Sequence, residues 1–308
     1  MVPEASPDFT DRATGCLLGL AIGDALGAPV ESKPRGTFEP VTGMRGGGSH
    51  GLHAGYWTDD TSLALCLAES MIESGGFDAA DQMRRYLRWM EEGHWSSTGS
   101  CFGIGFTTRT SLRRFKAASA KPFAGSKDAN YASNGSLMRL APVPIYFRRD
   151  AELAVRMAGE SSRTTHGAEE CVDACRLFAW LLLRAFEATD KDFLHLDPDA
   201  IPDSVPLSRR IESLARGDYA DKPEDHIRGS GYVVDCLEAA LWCFARTDSF
   251  SEAVLMAVNL GEDTDTTGAV CGQMAGAFYG AAAIPEEWKS QLHRGDEVER
   301  MGVGLLAT

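Results

Sequence analysis

Two short runs carry the densest oxygen chemistry in this chain: Thr58-Asp59-Asp60-Thr61 and Glu262-Asp263-Thr264-Asp265-Thr266-Thr267. Each leads straight into an apolar, helix-like stretch. Hard divalent cations such as Mg²⁺ want several oxygen ligands at once, and neither run alone offers a full shell. Brought together, Thr58, Asp59, Asp60, Asp263, Asp265 and Thr266 could hold two metal ions side by side. A plainer reading is also open. Asp and Thr are favoured N-caps, and a helix N-terminus welcomes negative charge. Each run is denser in carboxylates than a cap requires, and the two readings are compatible.

Other residues have chemistry to offer with weaker signals. Gly46-Gly47-Gly48, with Gly43, Gly51 and Gly55, makes a permissive loop before the first acidic run. It matches no phosphate-loop or dinucleotide fingerprint and reads as a surface loop or as a lid. Asn134-Gly135-Ser136-Leu137-Met138-Arg139 reads either as a plain Asn-Gly turn or as a helix start whose N–H groups suit a phosphate. His166 is one of seven histidines, and a core imidazole satisfied by hydrogen bonds is its commoner role. Glu31 begins a flexible loop, where a carboxylate is either solvated or able to move into a site. Tyr232, after Gly229 and Gly231, has a face that could stack on a base or pack on the core.

The elements that must position these residues are helical. Asp8 to Gly27 is apolar and studded with Gly15, Gly19 and Gly23. Glycine inside a helix costs up to about 1 kcal/mol against alanine, which implies that another backbone comes close there. Leu63, Leu67 and Met71 repeat at helical spacing, as do Met83, Leu87 and Met90 within Asp78 to Met90. Cys171 to Phe186, Tyr232 to Phe244, Ser251 to Leu260 and Ala269 to Ala283 complete the helical set, and Ser249 with Glu252 forms a capping box. Only Val143 to Phe147 alternates like a strand, and Pro142 and Pro144 argue against one. The expected fold is all-α, a compact orthogonal helical bundle with a dinuclear metal cleft. Loops fall at 31–56, 116–133 and 189–208. No composition shift marks a boundary, so the chain reads as one domain over 1–308, with its core at about 10–290.

A formal net charge of −14 argues against nucleic acid or an anionic membrane as the main partner. The eight cysteines form no Cys-x-x-Cys pair and read as buried free thiols in a reducing compartment. The start of the chain lacks the pattern of a signal peptide, and the longest apolar run, Leu177 to Phe186, is too short to span a bilayer. A cytoplasmic monomer is expected.

The ordered set Gly19-Leu-Ala-Ile-Gly-Asp24-Ala-Leu-Gly-Ala-Pro, Trp57-Thr-Asp-Asp-Thr61, Asn134-Gly-Ser-Leu-Met-Arg139, Thr165-His166, Gly229-Ser-Gly-Tyr-Val and Gly261-Glu-Asp-Thr-Asp-Thr266 resembles the ADP-ribosylglycohydrolases, including the dinitrogenase-reductase-activating type. The resemblance implies a hydrolase that cleaves the glycosidic bond between ADP-ribose and a modified protein side chain or a small acceptor. It also implies two Mg²⁺ or Mn²⁺ ions held by Thr58, Asp59, Asp60, Asp263, Asp265 and Thr266. By position, Glu31 matches a mobile glutamate and, with Asp59 and Asp60, is a candidate catalytic base. Asn134, Gly135, Ser136 and Leu137 match a diphosphate-binding segment. His166, Gly229, Gly231 and Tyr232 match the adenosine and phosphate side of the cleft. One segment departs: Gly103 stands where arginine-directed members have aspartate, and Phe106 where they have asparagine. That leaves open a specificity other than ADP-ribosyl-arginine. A non-catalytic ADP-ribose binder and a dimetal phosphohydrolase are the competing functions, the second weakened by the lack of a Lys/Arg phosphate clamp beside the acidic runs.

Overall fold

The computed structural model describes residues 7–117, 121–202 and 205–307. Among them thirteen α-helices and several 3₁₀ turns are joined by loops, with no strand. Isolated bridges pair Gly47 with Leu52, Ser126 with His166 and Ser133 with Tyr232. In chain order the helices are α1 (Pro7–Gly27), α2 (Asp59–Ser74), α3 (Ala79–Glu92), α4 (Phe106–Ala117), α5 (Pro142–Tyr146), α6 (Ala151–Arg163) and α7 (Glu169–Ala185). There follow α8 (Arg209–Ala215), α9 (Val233–Ala245), α10 (Phe250–Val258), α11 (Thr264–Tyr279), α12 (Glu286–Gln291) and α13 (Gly295–Gly304). The segment with strand-like alternation is α5. Its two prolines lie in the first turn, where a missing N–H costs no helical hydrogen bond, and Val143 and Ile145 are fully buried.

The axis of the fold is the pairing of α1 with α11. Gly15, Gly19 and Gly23 face Gly276, Gly272 and Gly268, so the two helices run antiparallel with backbones in contact. A Cβ at Gly19 would stand 2.1 Å from the Gly272 carbonyl oxygen, and one at Gly272 would stand 2.0 Å from that of Gly19. No side chain fits between them, which explains the glycine spacing read in α1. At the end of this contact Gly27 lies against Thr264 and Asp265, and Thr264 Oγ1 donates to the Gly27 carbonyl at 2.8 Å. The glycine ladder therefore fixes where the second acidic run sits.

The window Phe9–Val30 is long and apolar enough to cross a membrane, and from Ala13 to Val30 it is buried inside the protein. This corrects the expectation that 177–186 is the longest such stretch; small residues hide the apolar character of α1 from a simple run count. The placement is that of a core helix. All eight cysteines are free, and only Cys101 is partly exposed.

Candidate active site

Each acidic run sits at a helix N-terminus, but neither caps its own helix. Thr58 is the N-cap residue of α2 and Asp263 that of α11, and neither side chain makes a capping hydrogen bond. For α2 the cap comes from another helix. The Asp24 carboxylate of α1 accepts from the backbone N–H of Thr58 at 2.9 Å, from that of Thr61 at 3.0 Å and from Thr61 Oγ1 at 2.6 Å. Because Asp24 serves those donors, Asp59 and Asp60 are released toward a common cleft. Asp24 was visible in the sequence, but only its contact with α2 gives it a role.

The opposite wall is held just as firmly. The Asp263 N–H donates to the Gly229 carbonyl at 2.7 Å, and Asn134 Nδ2 donates to Asp263 Oδ2 at 2.8 Å. Ser32 and Glu262 adopt left-handed backbone conformations, and their segments are joined by two hydrogen bonds, Ser32 N–H to the Glu262 carbonyl and Glu262 N–H to the Lys33 carbonyl. Arg35 ties the same loop down by donating to the carbonyls of Leu260, Ile227 and Glu224. The backbone that follows Glu31 is thus clamped to the second acidic run, so any freedom of Glu31 lies in its side chain. His50 Nε2, from the glycine-rich loop, stands 3.4 Å from Glu31 Oε2.

The result is a cleft of about 760 Å³ lined by Glu31, Asp59, Asp60, Asp263, Asp265 and Thr266. Among the described residues no Lys or Arg forms an ion pair with these carboxylates. Burial, followed by the neighbouring carboxylates, pushes Asp59 up to about 8 and raises Asp60 and Asp265 well above the usual range. Burial also raises Asp24 to about 6, and it raises Glu31. Asp60 Oδ2 and Asp265 Oδ1 are buried without a hydrogen-bond partner, and buried Glu31 Oε2 has only the His50 ring, 3.4 Å away. Orphaned oxygens on crowded carboxylates are stabilised by cations, and hard divalent ions match that donor set. Among the described residues no three carboxylate, imidazole or thiolate groups close on a single point. The fit therefore rests on donor type and unmet oxygen valence, and it suits an ion such as Mg²⁺, which keeps several water or substrate oxygens.

Thr266 and Thr58 each place Oγ1 3.5 Å from Asp60 Oδ1, but Thr58 is fully buried beneath the cleft and does not line it. Asn134, Gly135, His166 and Gly231 line the wall beside Asp263. Asn134–Ser136 is one 3₁₀ turn, in which a Cβ at Gly135 would meet the His166 ring at 2.9 Å. His166 shares hydrogen bonds with Thr165 Oγ1 and Ser133 Oγ, and burial followed by Arg139 depresses its pKa well below the usual value. Ser136, Leu137 and Gly229 are buried behind this wall. Ser136 Oγ accepts from Ser162, and Gly229 packs against Thr267 and Gly261. Tyr232 stands outside the cleft lining. Its hydroxyl donates to Glu170 at 2.5 Å and accepts from Arg210 at 2.6 Å, so it braces α9 against the start of α7. A Gly-Ser-Gly-Tyr string does not reveal which way the ring turns.

Residues that sequence reasoning did not place in the cleft include Arg35, Thr107, Thr108 and Met138. No local motif marks Arg35, Thr107 or Thr108, and Met138 falls inside the Asn134–Arg139 segment without having been assigned a role there. Gly103 and Phe106 are both present at the mouth. Gly103 has φ +72°, and a Cβ there would stand 2.7 Å from Asp59 Oδ1. The glycine leaves room for the Asp59 carboxylate in its observed position. Phe106 is 68% exposed and stacks on Tyr131 at 6.0 Å between centroids.

Fold and cleft together define an all-helical protein with an acidic, oxygen-rich ligand site. The chain belongs to the ADP-ribosylglycohydrolase family, whose model matches residues 5–308. It is thereby an enzyme of the class that removes ADP-ribose from modified acceptors. It is 40% identical over 296 residues to the ADP-ribosylarginine hydrolase Tri1 of Pseudomonas putida, covering 96% of this chain and 78% of the relative. It is 30% identical to the ADP-ribosyl-[dinitrogen reductase] glycohydrolase of Rhodospirillum rubrum, covering 98% and 97% of the two chains. A solved structure described as an ADP-ribosylglycohydrolase-related protein complex matches with a TM-score of 0.86 at 44% identity, covering 97% of this chain and 98% of its own.

Proposed function

We propose that this enzyme hydrolyses the N-glycosidic bond between ADP-ribose and an arginine side chain of a modified protein, using Mg²⁺ or Mn²⁺ in the cytoplasm. The observation that carries this reading is the convergence of both acidic runs on one cleft beside the Asn134-Gly135-His166 wall. The arginine linkage is supported by 40% identity to a protein named for that activity. It is supported also by a carboxylate-rich cleft, which favours a guanidinium over a neutral acceptor. The free cysteines are the support for a reducing compartment.

Asp59, Asp60, Asp263, Asp265 and Thr266 would hold the cations, with Thr58 supporting Asp60 from below. Bound there, divalent ions would supply Lewis-acid polarisation and orient the sugar hydroxyls. The chain's own groups do the rest. Asn134 keeps Asp263 turned toward the cleft. The turn at Gly135, backed by neutral His166, offers a close-approach wall for the phosphates. Glu31, its pKa raised by burial and by Asp263, would take a proton from the water that adds to the anomeric carbon and pass it to the departing guanidine nitrogen as the C–N bond to arginine breaks. The cleft carboxylates stabilise the positive charge that develops on the ribose in that transition state.

The test is a panel of ADP-ribosyl-arginine, ADP-ribosyl-serine and an ADP-ribosyl acyl ester, each with Mg²⁺, with Mn²⁺ and with EDTA, read as free ADP-ribose. Release from arginine alone, abolished by EDTA, is expected. No release from arginine with either metal, or full release in EDTA, would reject the reading.

A further inference from the structure

The charge of this protein is unevenly spread, and the exception borders the cleft. Between Glu92 and Asp128 there is no acidic residue, while Arg109, Arg113, Arg114, Lys116, Lys121 and Lys127 all fall there. All six are exposed. In α4 the buried face is Thr107, Thr108, Ser111, Leu112 and Phe115, which leaves the arginines and Lys116 on the outer face. Elsewhere in this acidic chain exposed cations commonly meet carboxylates, as Arg84, Arg88, Arg216 and Arg228 do. Among the described residues, only Lys116 of this group has such a partner, Glu91. Arg109 and Arg114 reach only backbone carbonyls, those of Ile104 and Ala124.

The strip is joined to the site at both ends. Phe106, Thr107 and Thr108, the start of α4, line the cleft mouth. The returning loop that carries Lys127 pairs Ser126 with His166 and leads through Tyr131 to Ser133 on the cleft wall. From Arg109 to Lys116 the helix alone covers about 10 Å at 1.5 Å per residue, and the loop that carries Lys121 and Lys127 meets it where Arg114 donates to the Ala124 carbonyl. That is more positive surface than a single diphosphate seated inside the cleft can use.

We infer that the outer face of α4 with the loop carrying Lys121 and Lys127 is a docking surface for an acidic protein bearing the ADP-ribosyl group. This rests on the function proposed above and adds the kind of carrier that the enzyme selects. Charge complementarity is the argument. At about 0.1 M salt the Debye length is roughly 10 Å, so a partner touching this rim feels the local cations more than the distant negative charge of the rest of the molecule.

The test compares the wild type with the triple variant Arg113→Ser, Lys121→Ser, Lys127→Ser, none of which lines the cleft. Each is given the same ADP-ribosyl-arginine linkage on three carriers: the free small conjugate, an acidic protein and a basic protein. For the wild type the KM on the acidic carrier is expected to be about tenfold lower than on the basic one at low salt, with the difference lost at high salt. The variant should lose that preference while its kcat, and its rate on the small conjugate, stay unchanged. A preserved preference in the variant, or an equal loss on the small conjugate, overturns the inference. So does stronger competition by a DNA duplex than by an unmodified acidic protein, or a salt-sensitive dimer that only the wild type forms. If no carrier is hydrolysed, the proposed function fails, and direct binding of the acidic carrier then decides the docking surface. Tenfold weaker binding by the variant supports it, and equal binding rejects it.

Discussion

Thr61 Oγ1 donates a 2.6 Å hydrogen bond to Asp24 Oδ2, and through it one helix caps another. The cap of α2 comes from α1, which leaves the carboxylates of α2's own first turn available to a ligand. Asp24→Ala would strand two backbone N–H groups and one hydroxyl in a buried place. A loss of about 3 kcal/mol is expected, at about 1 kcal/mol or more for each unmet donor, together with loss of divalent-cation binding. Denaturant unfolding and calorimetric titration with Mn²⁺ check the two effects.

The glycine ladder makes a sharper stability prediction. Gly19→Ala places a methyl group 2.1 Å from the Gly272 carbonyl oxygen, with backbone on both sides and no flexible side chain to yield. The helices must separate, at a cost on the order of 3 kcal/mol. Because α11 carries Asp265 at its start, activity should fall with stability. A variant with wild-type melting behaviour would show that the contact is looser than described.

Asn134 aims Asp263, so its loss should act through that carboxylate. Asn134→Ala is expected to fold normally and to weaken divalent-cation affinity by roughly 10- to 100-fold, the usual scale when a ligand loses its outer hydrogen bond. Activity titrated against Mn²⁺ concentration should show a displaced midpoint. Asp265→Asn should fold and lose activity at every metal concentration.

His166 predicts a pH effect with a definite sign. Its folded pKa lies well below its unfolded value of about 6.5, so the unfolded chain binds the extra proton first. Its contribution to stability is complete above about pH 6.5 and is lost as pH falls, by up to about 1.4 kcal/mol per pH unit. Asp24 and Asp59, with raised folded values, act in the opposite direction. The useful quantity is the difference between wild type and His166→Gln. The stability advantage of the wild type should shrink by about 2 kcal/mol from about pH 7 to about pH 5, measured by denaturant midpoints.

Gly103 sets the position of Asp59. Restoring an aspartate there should not restore an arginine contact; it should drive a second carboxylate and its Cβ into Asp59, on a backbone at φ +72° that suits glycine. Gly103→Asp is expected to lose at least tenfold in kcat with every ADP-ribosyl acceptor. A gain on ADP-ribosyl-arginine would reject that account.

Much of the fold was legible in the chain because its long helices are periodic and strongly apolar. The glycines of α1 announced a close backbone, and Ser249 caps α10 by accepting from the Glu252 N–H, as the capping box implied. The less regular elements were harder. Helix α4 mixes threonines with arginines, and α6 is short and weakly apolar, so neither has a run that stands out in one dimension. Prolines made α5 look like a broken strand. In the cleft, residue types that hold metals were readable as types, while Arg35 belongs there only because its loop folds over.

By itself the sequence determined an all-α chain, the two acidic runs, the glycine periodicity and the family resemblance, since these depend on local spacing and order. Tertiary structure decided the rest. It made Asp24 the cap that frees Asp59 and Asp60, and it tied the Tyr232 hydroxyl to Glu170 and Arg210. It set Gly103 against a carboxylate and turned the three arginines and Lys116 of α4 to that helix's outer face. Each of these depends on which distant part of the chain a side chain meets, and only the packing of helices, with α1 on α11 at its axis, fixes those meetings.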